Sequence, residues 1–326
     1  MKTDLRPMNL GEILDRTFQI YREKFWVFVT LAALPALAMI GLQFASQFWW
    51  KLAPVPFGVP IFLGMSAPNL LYALALYQIV LLLRLLAWPA FSDLTSCVHL
   101  GEQSSLSSTL FSCIARWRSW LWISIANWGI VLVLPEAVLA GTLIGFAYLL
   151  FAILKLNSVI QSEWLTPAVL LSIALCWAAF LWLSSALSIS IPAWTTERLT
   201  VGKSLKRSWT LSKGSRWRIL FTRFMIALIS WILNLASYVI FILLAAFVMR
   251  SIGVRLDFHG SIYLGIRLLS AAVAYILTGP IFPIALTLFY YDQRIRKEGY
   301  DIERMMEDAG LIAPVTTLAE VKEGQA

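Results

Sequence analysis

Six stretches of this chain are apolar for long enough to cross a bilayer, and this constrains the fold more than any other feature. They run over 25–48, 69–92, 120–144, 165–191, 219–249 and 262–291. A membrane-crossing helix needs about 20 such residues, each adding about 1.5 Å along the axis. The expected fold is therefore all-α, a polytopic membrane protein of six transmembrane helices. The composition agrees. Hydrophobic residues make up 60% of the 326 and charged residues only 13%, where a soluble domain carries about 25%. The mean hydropathy is +0.76.

The third stretch is ambiguous. Apolar sequence continues from Trp120 to Leu154 and is interrupted mainly at Pro135-Glu136, so it could hold two short spans, giving seven. Charge decides between the two counts. With six spans, 20 of the Lys and Arg residues fall on the side of the N-terminal segment, five fall on the other side, and Arg84 lies within a span. Cytoplasmic loops carry the excess of Lys and Arg. Both termini are therefore expected in the cytoplasm. Seven spans would export the segment 198–223, which holds eight of the positive charges.

The net charge of +8 does not indicate nucleic acid, because it is confined to blocks between apolar runs. About 24 mostly polar residues precede the first apolar run, which is not the pattern of a cleavable signal. The cysteines (Cys97, Cys113, Cys176) form no CxxC pair, so neither a disulfide framework nor a metal site follows.

One phrase occurs twice. GEILDRTFQIYREKFW (11–26) and GKSLKRSWTLSKGSRW (202–217) agree in residue type at Gly11/Gly202, Leu14/Leu205, Arg16/Arg207, Thr17/Ser208, Phe18/Trp209, Ile20/Leu211, Arg22/Lys213 and Trp26/Trp217, always 191 residues apart. A weaker copy, GEQSSLSSTLFSCIARW (101–117), precedes the third stretch. Pro89-Ala90-Phe91-Ser92 and Pro192-Ala193-Trp194-Thr195 end the first two hairpins alike. The chain thus reads as three hairpin repeats, about 10–92, 100–195 and 201–291, each preceded by an amphipathic helix on the cytoplasmic face. Residues 1–24 form an N-terminal cytoplasmic segment, 25–291 the membrane domain, and 292–326 a charged cytoplasmic tail with a disordered end.

Periodicity places Leu10, Leu14, Thr17, Phe18, Tyr21 and Phe25 on one helical face, with Asn9 and Glu12 spaced as a capping box. In the last copy Val201, Leu205, Trp209 and Leu211 form the apolar side, and Gly214 permits the turn that ends the helix. A helix of this kind lies in the membrane interface. Basic residues near an anionic leaflet gain about 1 kcal/mol each. Arg16, Arg22, Lys203, Lys206, Arg207 and Lys213 are accordingly the candidate lipid-headgroup residues, and the expected partners are anionic membrane lipids and other membrane proteins. The same residues also serve as topology signals. Tryptophans near the span ends read as the usual interfacial belt.

Ionisable residues inside spans are functional candidates. Arg84, Glu136 and Arg267 are the three. Arg84 can snorkel, Glu136 and Arg267 can pair near the outer interface, and the three together could line a transport path. The two histidines, His99 and His259, fall in loops on opposite sides. No HExxH, GxSxG or GxxxxGK[ST] pattern occurs, so neither an enzyme nor a cofactor is expected.

Three phrases in order, LRPMNLGEILDRTFQIYREKFW, ERLTVGKSLKRSWTLSKGSRWRI and YYDQRIRKEGYDIE (290–303), resemble a group of bacterial multi-span membrane proteins. That group is similar to the membrane domain of some glycerophosphodiester phosphodiesterases. The resemblance covers nearly the whole chain. It implies an inner-membrane protein and does not extend to phosphodiesterase activity, since 35 residues follow Tyr291 and a catalytic barrel takes about 250. The expected function is that of a non-catalytic scaffold, or an assembly or lipid-interacting factor. The alternative is a permease or channel that uses the bundle interior.

Reporter fusions test the topology. Those at Lys155 and Arg255 should report outside and one at Lys213 inside, whereas a cytoplasmic signal at Lys155 would rule out three hairpins.

Overall fold

The computed structural model describes residues 6–50, 67–101, 115–133, 165–251 and 261–311, with positions 109 and 111. The described chain is helical and contains no strand. Its helices are α1 (Leu10–Glu23), α2 (Phe25–Trp50), α3 (Ala67–His99), α4 (Trp117–Asn127, continued by a π-helical segment Trp128–Val133), α5 (Leu165–Leu187), α6 (Ser190–Glu197), α7 (Val201–Ser212), α8 (Arg216–Ser251), α9 (Ser261–Thr278), α10 (Ile281–Glu298) and α11 (Tyr300–Asp308). Among the described residues five segments are long and apolar enough to cross a membrane: Phe25–Ala45, Ala75–His99, Trp177–Glu197, Arg216–Ser251 and Gly265–Glu298. The third expected stretch is described only as far as Val133. Glu136, Lys155, Arg255, His259 and most of the 101–117 copy lie outside the described residues.

The long helices pack side by side in chain order. α2 packs on α3, α3 on α4 and its π segment, that segment on α5, α5 on α8, α8 on α9, and α9 back on α2. At one end of this ring α3, α6 and α10 meet. Their meeting point is a buried trio of hydroxyls, with Ser92 Oγ 3.1 Å from Thr195 Oγ1 and 2.9 Å from Thr287 Oγ1. Hydroxyls suit such a contact because they are small and their second bond can go back to the helix's own carbonyls. Thr195 and Thr287 each do this, to Pro192 and Pro283.

The helix α10 is the axis of this end. Pro283 to Gln293 are all buried, and α1, α3, α6, α7, α8 and α11 surround the helix. Phe28, Phe91, Leu94, Phe289, Tyr290 and Tyr291 fill the space around it. By contrast α8 is barely covered, with 6% of its most apolar window buried. Its exposed Phe, Leu, Ile and Trp side chains suit contact with lipid tails.

The expected spans differ from the observed helices at two breaks and two ends. The stretch 165–191 is divided between α5 and α6 at Ser188-Ile189, and 262–291 between α9 and α10 at Gly279-Pro280. Each break leaves helical carbonyls without partners. At the first, Ser208 and Ser212 of α7 both donate to Ala186 O, at 2.8 and 3.2 Å. At the second, Tyr21 of α1 donates to Leu277 O at 2.9 Å. Burial pushes the Tyr21 phenol up to about 12, so it stays a donor at neutral pH. α3 runs on to His99, which is buried 5.1 Å from the Tyr291 ring rather than in a loop. α10 continues to Glu298, so the boundary expected at 291/292 falls within a helix.

The surface helices also turn faces other than those periodicity selects. α1 has the expected capping box, but it buries Ile13, Thr17 and Ile20 against α10 and α3, and Phe18 is exposed. α7 buries Ser204, Ser208, Leu211 and Ser212, while Leu205 and Trp209 lie half-buried at its flank.

A Cβ on Gly279 would lie 2.7 Å from Tyr275 O, whereas on Gly202 it would meet nothing within 4 Å. Gly279→Ala should therefore cost about 1–3 kcal/mol, as overpacking does, while Gly202→Ala should be neutral or stabilising by about 0.5–1 kcal/mol. Thermal unfolding of the two variants in detergent checks both.

Candidate functional site

Asp292, in the middle of the core helix α10, has a fully buried side chain. A buried carboxylate is costly unless it is paired and hydrogen-bonded, and four groups from three parts of the chain meet this one. Met8 N–H donates to Oδ1 at 2.8 Å, and Arg296 Nε, one turn on, at 2.9 Å. Arg218 at the start of α8 reaches Oδ2 at 3.3 Å and Gln293 Nε2 does so at 3.1 Å. The two arginines also converge on Met8 O, at 3.1 and 2.7 Å. The peptide of Met8 is thus held at both its N–H and its C=O, which fixes where α1 begins.

A second cluster lies on the same end of α10. Arg207 of α7 donates from Nε to both oxygens of Glu197, at 2.9 and 3.0 Å. Its two terminal nitrogens grip Glu298, Nη1 to Oε1 and Nη2 to Oε2 at 2.6 Å. Burial opposes the charge on Arg207, but its hydrogen bonds to Glu298 and Glu197 outweigh burial and hold the guanidinium above its usual range. Glu197 also accepts from the Tyr290 hydroxyl at 2.5 Å. Arg294 stacks on Tyr300 at 4.0 Å, which joins α11 to the cluster. Lys297 Nζ donates to Leu211 O and Lys213 O at 2.8 and 2.6 Å, satisfying carbonyls at the end of α7.

The three phrases singled out in the sequence therefore converge. The first contributes Met8, the second Glu197, Arg207 and Arg218, and the third Tyr290, Asp292, Arg294, Arg296, Lys297, Glu298 and Tyr300. Together they form a collar of charge around one end of the bundle.

The sequence-predicted residues are distributed as follows. Lys203, Lys206, Lys213 and Arg22 are exposed, and Arg16 is half-buried, donating to Gln19 at 3.2 Å. Arg207 faces two carboxylates instead of the surface. Arg84 lies over the Tyr275 ring at 4.9 Å, well within the bundle. Arg267 is half-buried on α9. Its expected pairing with Glu136 falls outside the described residues.

Sequence reasoning missed Asp292 and Glu298, since YYDQRIRKEGYDIE reads as a charged tail. Their spacing was the available signal. Tyr291, Asp292, Ile295 and Glu298 recur at helical intervals in continuation of the last apolar run. Arg223, counted with the loop, lies about two turns into α8, flanked by Phe180 and Phe282 at 5.6 and 5.7 Å.

Among the described residues no cluster of His, Cys, Asp and Glu could hold a metal ion. Comparison with family models, with curated proteins and with solved structures gives no match.

Removing the carboxylate at 292 leaves two arginines facing an amide. Asp292→Asn should lower stability by about 3 kcal/mol, as loss of one partner of a buried pair does. Arg6→Gln, which breaks the exposed Arg6–Glu12 pair (2.7 Å), should change it by less than about 1 kcal/mol. Denaturation of the two variants side by side measures the contrast, and equal losses would contradict it.

Proposed function

We propose that this chain is a non-catalytic scaffold of the bacterial inner membrane, six-span and three-repeat in architecture, with both termini cytoplasmic and a basic collar that engages anionic lipid. The observation that carries this reading is the filled axis beneath the collar. Phe28, Phe91, Phe289, Tyr290 and Tyr291 are all essentially inaccessible. A solute path would have to displace this close-packed core, whereas a scaffold requires that such a core stay closed.

The collar's outer side supports the lipid assignment. Lys203, Lys206, Lys213 and Arg22 are exposed, and their side chains make no ion pair among the described residues, while Arg207, Arg218, Arg294 and Arg296 hold the collar together. Cohesion of the collar and attraction to lipid are thus divided between different cations. The hydroxyl trio supports the repeat reading, because Ser92, Thr195 and Thr287 stand three, three and four residues after Pro89, Pro192 and Pro283. The resemblance to the membrane domain of glycerophosphodiester phosphodiesterases points the same way. A permease is the second reading, and it draws on Arg84 and Arg267, two cations in helices of the ring.

Replacing Lys203, Lys206 and Lys213 with Gln tests the proposal. Each loss should cost up to about 1 kcal/mol of attraction to an anionic surface. The ratio of anionic to zwitterionic lipid that co-purifies should drop and the melting temperature should hold. An unchanged ratio would remove the lipid reading, and solute flux through liposomes carrying the purified protein would favour the permease.

A further inference from the structure

Arg216, the first residue of α8, differs from the other cations at this end. Its guanidinium packs against two indole rings, 4.4 Å from Trp182 and 4.7 Å from Trp209, which themselves meet edge to face at 5.0 Å. Its Nε is buried and has no hydrogen-bond partner among the described residues. No described carboxylate pairs with it, although Arg207, Arg218, Arg294 and Arg296 each have one. A buried donor without an acceptor is unfavourable. The two rings hold the planar fork in place, with its Nε–H lacking an acceptor among the described residues.

Beside this cation is a groove of about 500 Å³ between α5 and the start of α8. Its walls are mostly apolar, formed by Ala178, Leu181, Trp182, Trp217 and Leu220, and Ser185, Gly214 and Arg216 complete the lining. The volume falls within the usual range of ligand sites, about 300–1,000 Å³. Both helices belong to candidate membrane spans at this level. The groove opens sideways, with Ala178, Leu181 and Trp182 exposed along it and Trp217 85% exposed at its rim. Lys213, three residues before Arg216, is exposed on the preceding turn.

A cation that lines a mostly apolar groove and has a donor without an acceptor complements an amphiphile with an anionic head. The fixed fork of a guanidinium matches two oxygens of a phosphate. The apolar walls match an acyl chain and would exclude a free anion's hydration shell. We infer that this groove seats one phospholipid with an anionic headgroup, its phosphate on Arg216 and its chain between α5 and α8. The inference rests on the lipid reading above and deepens it from collective attraction to a single built site.

The test uses the full chain in detergent, with native mass spectrometry after addition of phosphatidylglycerol or phosphatidylcholine. The wild type should retain one phosphatidylglycerol in preference to phosphatidylcholine. Arg216→Gln should weaken that retention by about fivefold or more, the effect of losing one basic residue at headgroup level. Ala178→Trp, which fills the groove and leaves Arg216 and its two indoles in place, should weaken it similarly. Melting temperatures confirm that both variants are folded. Wild-type retention in the folded Ala178→Trp variant overturns the inference, as does displacement of the lipid by inorganic phosphate. The lysine-to-Gln variant reports separately on the collar. Loss of its overall anionic enrichment with the single lipid still lost in Arg216→Gln supports both readings, while unchanged enrichment with the single lipid lost supports the groove alone.

Discussion

A carboxylate with no contact with water organises the basic end of this protein. Asp292 must be compensated where it stands, and the compensation comes from far away in sequence, from the peptide of Met8 and the guanidinium of Arg218, as well as from Arg296 one turn on. Once those partners are in place, the start of α1, the start of α8 and the middle of α10 are fixed relative to one another. The second cluster follows from the same helix. Glu298 and Tyr290 lie two turns apart on α10, and between them they capture Glu197 at the end of α6 and Arg207 in the middle of α7. Low-dielectric surroundings make such networks costly when incomplete and strongly specifying when complete.

The membrane class and the approximate positions of the long helices were legible because an apolar run of that length is suited to little besides a lipid surround. The breaks within them were not, because Gly279-Pro280 and Ser188-Ile189 do not interrupt the apolar pattern. The packing faces of the surface helices were misjudged for a related reason. On α7 the eye takes Leu205 and Trp209 as the inward side, but Ser204, Ser208 and Ser212 allow closer approach, and the last two satisfy Ala186 O at the break. A hydroxyl stripe counts as polar in any periodicity argument, although between helices it acts as a close-packing surface. On α1 the aromatic Phe18 attracts attention, yet Ile13 and Ile20 are the residues buried.

The collar itself was half legible. Its cations were visible in the sequence. That some of them bind the protein together while others face outward depends on which acids come near, and nothing local reveals that. From Arg198 to Arg223 the segment contains no acid, so Arg207 looks like every other basic residue there. Glu298 lies 91 positions away. Aromatic rings divide the cations further. Arg216, Arg223 and Arg84 rest against Trp, Phe or Tyr faces, where cation–π attraction offsets part of the lost hydration.

The long reach of these contacts has a consequence for synthesis. The bond between Met8 and Asp292 spans 284 residues, so at a translation rate of about 5–20 residues per second its two ends emerge about 15–60 seconds apart. Throughout that interval the beginning of α1 has no anchor, and once α7 is made, Arg207 has only one of its two carboxylates and the end of α7 lacks the ammonium of Lys297. All three are completed by one event, the arrival of α10. A nascent chain of this protein therefore exposes an unassembled basic surface until its last long helix is made, and the closing of the collar marks when the membrane domain is finished.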